Sequence, residues 1–288
     1  MKKLELMFVV VVALLGAAWA QEREAQPKWL VDLGYKPREV FPARIGRLGF
    51  PYLRVSINGE EIELPFDTGN MRRLVVSAQV AAQLALPVTG EEPSYDSSGA
   101  LVGKWRVFRT DSVTALGRTW HDQSAAEADQ PNLDGLLGPY YLLDRRFTLD
   151  YQRGLLAVSD SRIPANAPGE KFSLVPSKRL PGMLVVEGFV NGRKVLIQID
   201  TGKSRTCVDR SLAIKLNLAS NAHGYAVSNV HIGTWKFSVR SAREDNFSGI
   251  SKDLPSPILL GIGSDVLPQV IMTVDYPRNT IHFLPAQK

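Results

Sequence analysis

Hydrophobic and polar residues alternate along "PYLRVSI" (51–57) and again along "EEIELPF" (60–66), with Asn58-Gly59 between the two runs. Alternation at a period of two turns one face of a segment to a core, and Asn-Gly is the dipeptide that a two-residue hairpin turn favours. The pair therefore predicts a β-hairpin. The same pattern returns in "LVVEGFV" (184–190) and "RKVLIQI" (193–199), which flank Asn191-Gly192. After each hairpin comes a short apolar strand and then apolar residues at helical spacing. "SAQVAAQLAL" (77–86) offers Ser77 as N-cap, with Val80, Ala81 and Leu84 on one face. "DRSLAIKLNL" (209–218) offers Asp209, with Leu212, Ala213 and Leu216 in register. Further along, "LLGPYYLLDRRFTLDYQR" (136–153) and "GIGSDVLPQVIMTVDYPR" (261–278) align without a gap, so that Gly138 meets Gly263, Thr148 meets Thr273, and Arg153 meets Arg278.

The chain is thus written twice. Short strands separated by Gly and Pro predict all-β lobes with small helices. The repeat places an N-terminal lobe at 48–160 and a C-terminal lobe at 172–288, joined by the Pro- and Ala-rich linker 161–171. Residues 21–47 read either as an N-terminal strand with its lead-in or as a propeptide.

The first twenty residues change the picture. Lys2 and Lys3 precede an apolar run from Leu6 to Ala17, and Ala18-Trp19-Ala20 offers a small-x-small cleavage site. That is the layout of a secretory signal peptide, and the run is short for a membrane span. An uncleaved anchor is the other reading. The expectation is a secreted or periplasmic protein without a stable membrane span. Cys207 is the only cysteine, so no intrachain disulfide is available. The net charge of +5 is scattered and forms no nucleic-acid patch.

The candidate chemistry sits at the end of each hairpin. "FDTGN" holds Asp67, Thr68, Gly69 and Asn70, and "IDTGK" holds Asp200, Thr201, Gly202 and Lys203. One Asp-Thr-Gly arises by chance in roughly one of ten to twenty chains of this length. Two at equivalent places in one repeat are much harder to dismiss. Lobes packed about a pseudo-two-fold axis can bring equivalent residues together there. Two aspartates at that axis would form a dyad that shares one proton, because close carboxylates do not both ionise easily. The ionised member can take a proton from water, and the protonated member can donate to a carbonyl oxygen, which is general acid–base hydrolysis of an amide. Gly69 and Gly202 leave room at the carboxylates, and Thr68 and Thr201 can bond across the axis.

With these motifs the chain, over about residues 48–285, resembles the aspartic proteases of the pepsin and retropepsin type. It is closer to bacterial retropepsin-like proteins through "DGLLGPYYL" (134–142). The resemblance implies two homologous β-barrel lobes, a cleft between them and hydrolysis of peptides, with Asp67 and Asp200 catalytic and their Thr and Gly neighbours as support. It implies a peptide or protein substrate; no cofactor or metal is expected, and two lobes in one polypeptide make a monomer the expectation. A protein that keeps the fold only to bind peptides is the alternative. Two positions depart from the family, which has Ser, Thr or Ala after the Gly. Asn70 can stand in for a hydroxyl donor to a carboxylate oxygen. Lys203 either points to solvent or, beside the dyad, favours its doubly ionised form. The family closes a hairpin flap over the cleft, and 91–108 is the candidate, with Ser97, Ser98 and Gly99 as a mobile tip and Tyr95 and Trp105 as substrate-facing aromatics or ordinary strand residues. His121, His223, His231 and His282 show no metal-ligand spacing, and Cys207, aligned with Leu74, reads as a small apolar residue rather than a nucleophile.

Overall fold

The computed structural model describes residues 26–128 and 133–286. The signal-peptide reading of residues 1–20 lies outside the described residues. The protein is all-β, and the α-helices among the described residues are short: Lys28–Asp32, Ala78–Gln83 and Arg210–Lys215.

Both hairpins form. Pro51–Ile57 pairs antiparallel with Glu60–Pro65, and Leu184–Val190 with Arg193–Ile199. Asn58 and Gly59 take φ of 52° and 93°, and Asn191 and Gly192 take 49° and 77°. Two successive left-handed residues match the strand twist, which is why Asn-Gly serves here. The alternation buries Leu53, Val55 and Ile57 on one face of the first strand. Both helix caps are in place. Ser77 Oγ accepts from the Val80 N–H at 3.1 Å, and Asp209 Oδ1 accepts from the Ser211 N–H at 2.8 Å.

Each half of the chain wraps into a barrel. In the second half, Leu184–Val190, Arg193–Ile199, Ile258–Ile262, Cys207–Asp209, Trp235–Asp245 and Gly224–Ile232 follow one another, and the last pairs back to the first. In the first half the matching ring is completed by a bridge between Phe66 and Leu137. Full closure removes sheet edges, which otherwise invite aggregation.

A third sheet joins the halves. Its six strands run Val40–Pro42, Leu155–Ser159, Arg146–Asp150, Val270–Asp275, Thr280–Pro285 and Glu170–Ser173. At its centre Arg146–Asp150 lies antiparallel to Val270–Asp275, with Thr148 directly opposite Thr273. Their hydroxyls are 2.7 Å apart. These are the residues that the sequence repeat equates, so a pseudo-two-fold axis passes between them. The segment 26–47 joins this sheet from below. Trp29, Leu30, Leu33 and Tyr35 pack on Ala157 and Ile271, and Trp29 Nε1 donates to Asp150 Oδ2 at 2.9 Å. The strand Glu170–Ser173 starts inside the segment read as linker. One apolar core runs through both lobes, from Leu53 and Phe66 to Ile197 and Ile262.

Candidate active site

The second arm of each hairpin ends at the axis. Backbone N–H groups of Asp67 and Asp200 donate to Leu137 and Ile262 carbonyls at 2.9 and 3.0 Å, which ties each turn to the strand beside it. The turns then bond to each other reciprocally. Thr68 N–H donates to Thr201 Oγ1 and Thr201 N–H to Thr68 Oγ1, both at 3.0 Å. Each hydroxyl passes its own proton to the opposite strand end, Thr68 to the Ile199 carbonyl at 3.2 Å and Thr201 to the Phe66 carbonyl at 2.6 Å. Both threonines are fully buried, so every one of these polar groups needs its partner. Four bonds of this kind, each contributing about 1 kcal/mol net, fix the turns far more rigidly than packing alone.

This clamp sets the carboxyls face to face. Gly69 N–H donates to Asp67 Oδ1 at 2.8 Å, and Gly202 N–H to Asp200 Oδ1 at 2.9 Å. A β-carbon added at Gly69 would collide with the Asp200 carboxyl, and one at Gly202 with that of Asp67. Glycine is therefore required at both positions by the close approach of the opposite side chain. Burial, followed by the charge of Asp200, raises the pKa of Asp67 far above the usual carboxylate range, and a hydrogen bond between the two side chains adds to the effect. The pair thus holds one proton where two isolated carboxylates would hold none.

The two departures from symmetry behave differently. Asn70 does not act through its side chain on the carboxylate. Its Oδ1 accepts from the Arg72 N–H at 3.1 Å, its Nδ2 is buried without a partner, and only its backbone N–H reaches Asp67 Oδ1, at 3.1 Å. The amide is too short to turn back on the carboxyl once its oxygen is engaged in the turn. Lys203 lies at the dyad and not in solvent. Its Nζ is 3.7 Å from Asp200 Oδ2 and 3.2 Å from Asp245 Oδ2, with about a fifth of the side chain exposed. Burial works against its charge, yet the neighbouring carboxylates outweigh that and hold its pKa above the ordinary lysine value.

The strands Val88–Tyr95 and Leu101–Ala115 form the hairpin expected over 91–108. Its tip is held by the other lobe rather than hanging free. Ser97 Oγ donates to Asp245 Oδ1 at 2.7 Å, Ile250 N–H donates to the Ser97 carbonyl at 3.1 Å, and Ser248 Oγ donates to the Ser98 carbonyl at 3.2 Å. Gly99 and Gly249 touch backbone to backbone. The tip expected to be mobile thus finds polar partners on 245–250 in this conformation. Under the hairpin lies a cavity of about 620 Å³ lined by Met71, Arg72, Tyr95, Arg179, Ile250 and Lys252, among others. Tyr95 is 59% exposed and faces this space. Trp105 does not line it. The Arg72 guanidinium covers its ring at 4.5 Å, and the indole packs on Val75, Ala126 and Leu136. It is a packing residue because its place in the strand puts it on the barrel side.

Asp245, Arg72 and Arg179 escaped the sequence reading. Each is an ordinary charged residue, and although the repeat sets Arg72 opposite Arg205, only the approach of distant segments gives each its neighbours. Cys207 is half-buried among apolar residues, and burial raises its thiol pKa. A thiol pushed upward is a poor nucleophile. Among the described residues no helix is long and apolar enough to cross a membrane, and no cluster of three or more His, Cys, Asp or Glu could hold a metal ion.

An all-β pair of barrels meeting at two facing Asp-Thr-Gly turns is an acid-protease architecture. A family model described as aspartyl protease matches residues 53–140, which include Asp67, Thr68 and Gly69 and run to the Leu137-Gly138 element. That match supports an aspartic protease family for the first lobe. The match does not extend to the second lobe, which the internal sequence repeat relates to the first. No curated protein matches the chain.

Proposed function

We propose that the protein is an aspartic endopeptidase that hydrolyses peptide bonds with a water activated between Asp67 and Asp200. The observation that carries the reading is the facing pair of carboxyls, clamped by Thr68 and Thr201 and holding one proton between them. In this reading Asp67, whose pKa is raised by burial and by the charge of Asp200, carries the shared proton, and Lys203 stands beside Asp200. Asp200 takes a proton from water as the water oxygen bonds to the carbonyl carbon, and Asp67 gives its proton to the carbonyl oxygen. The resulting diol collapses when the amide nitrogen is protonated and the C–N bond breaks, with the second hydroxyl proton returning to the dyad. The substrate would lie as an extended peptide across the dyad and run on under the hairpin, into the cavity whose lining includes Met71 and Arg72 beside the Asp67 turn but neither dyad aspartate. Export through the N-terminal apolar run is part of the proposal and places the enzyme in the periplasm or outside the cell.

One observation favours a second reading, a peptide-binding protein that no longer cuts. An ammonium stands 3.7 Å from Asp200, a positive charge beside the general-base carboxylate where the first lobe has the neutral Asn70. The test is a digest of a mixed peptide library from acidic to neutral pH, with and without chelator and serine-directed reagents. The protease reading expects cleavage that neither additive stops. Retention of peptides with no cleavage at any pH would establish the binding protein instead.

A further inference from the structure

We propose that Asp245 is a positioning residue for the dyad, one of its oxygens holding Lys203 short of Asp200 while the other holds the hairpin tip over the cleft. The proposal rests on the dyad reading given above. Asp245 ends the strand Trp235–Asp245, next to the strand Cys207–Asp209. Its Oδ2 accepts from Lys203 Nζ at 3.2 Å. Its Oδ1 accepts from Ser97 Oγ at 2.7 Å and from the Asn246 N–H at 2.8 Å. Lys203 Nζ stands 3.7 Å from Asp200 Oδ2, outside hydrogen-bond range, and 5.6 Å from the centre of the Phe247 ring.

An ammonium caught between two carboxylates divides its attraction between them. Asp245 therefore does two things to the dyad, both of the same sign. Its own negative charge opposes loss of the last dyad proton, and its hold on Lys203 keeps part of the positive charge away from Asp200. The remaining titratable and charged groups around Lys203 and the dyad are Asp67, Tyr151, Cys207 and Arg243. None of them needs to change when Asp245 changes. The same carboxylate is the only second-lobe side chain seen accepting a bond from the tip serine among the described residues. Closure of the hairpin and the acidity of the dyad thus meet in one residue.

Asp245→Asn removes the charge and keeps an oxygen for Ser97. Ser97→Ala removes the tip bond and keeps the charge. Asp245→Ala removes both. Dyad titration is read without substrate from carboxyl ¹³C shifts of aspartate-labelled protein, and the tip from amide exchange over 96–100. Asp245→Asn should lower the upper dyad titration by about one pH unit and leave tip exchange near wild type. Ser97→Ala should leave the titration in place and speed tip exchange about fivefold. Asp245→Ala should show both changes. An unmoved titration in Asp245→Asn, or an unmoved tip in Asp245→Ala, overturns the proposal. Peptide hydrolysis keeps the two claims apart. A wild type that cuts, with the high-pH limb unmoved in Asp245→Asn, removes the positioning role and leaves the protease standing. Shifts as expected in a protein that cuts nothing support the positioning role and remove the protease.

Discussion

Asp67 sits where its charge is costly. Burial and the facing Asp200 hold its proton in place far above the usual carboxylate range. An unfolded aspartate loses that proton near pH 4. Stability is therefore fully present below about pH 4 and is lost as pH rises toward the folded value, because the unfolded chain releases the proton first. Asp67→Asn cannot ionise and keeps an oxygen for the Gly69 N–H, so it should raise the melting temperature at neutral pH, with the gain fading toward pH 4. A gain that persists unchanged in acid would mean that charge is not its cause. Lys203 acts in the opposite sense on the pair. Lys203→Ala removes a cation 3.7 Å from Asp200, so the last dyad proton becomes harder to lose and the high-pH limb of hydrolysis should move upward. A limb that stays put would show the ammonium to be screened. At this scale the two Asp-Thr-Gly turns were legible because duplication singles them out. The side chains after them were not. Whether Asn70 turns to Asp67 or to Arg72, and whether Lys203 meets solvent or Asp245, depends on neighbours that arrive from far along the chain.

The elements around the site follow local rules. Asn58-Gly59 and Asn191-Gly192 make their turns, and Ser77 and Asp209 cap their helices, because each requirement is satisfied within a few residues. Alternating burial along Pro51–Ile57 is likewise visible in the order of its side chains. The hairpin over the cleft was legible as a hairpin, but its grip on 245–250 was not, since nothing local in Ser97-Ser98-Gly99 names a distant partner. The helix Lys28–Asp32 is a similar case. It is too short to be stable alone and is held by Trp29 on the central sheet. Trp29→Phe removes the indole donor from buried Asp150 Oδ2, which then keeps only Arg153 at 3.2 Å. That change should lower unfolding free energy by about 1–2 kcal/mol in a denaturant titration while hydrolysis per folded molecule stays the same. A loss of activity without loss of stability would place this segment in the catalytic machinery instead of beneath it.

At the scale of the molecule the two lobes share their foundation. The central sheet takes Arg146–Asp150 and Leu155–Ser159 from one half and Val270–Asp275 and Thr280–Pro285 from the other. Residues 1–160 made alone would leave the strand Arg146–Asp150 paired only with Leu155–Ser159 and open along the edge that Val270–Asp275 covers, with Thr148 lacking the Thr273 hydroxyl. They should show no cooperative thermal transition, whereas the whole chain melts in one. A cooperative first half would mean that the lobes are independent. The repeat predicted two equivalent lobes but not this shared sheet, because pairing between copies leaves no trace in the pattern within either one. Thr68 and Thr201, like Thr148 and Thr273, are equated by the repeat and bonded to each other, so one internal symmetry accounts both for the join between the halves and for the approach of Asp67 to Asp200. In the proposed function these two carboxyls act as one catalytic unit. The most direct test is kcat/KM on a single cleaved peptide for the wild type, Asp67→Asn and Asp200→Asn, each shown to be folded. A dyad that acts as one unit requires that either substitution alone lower kcat/KM by about a thousandfold or more, since an amide can neither accept the water proton nor share the dyad proton. Retention of most of the activity in either variant would contradict it.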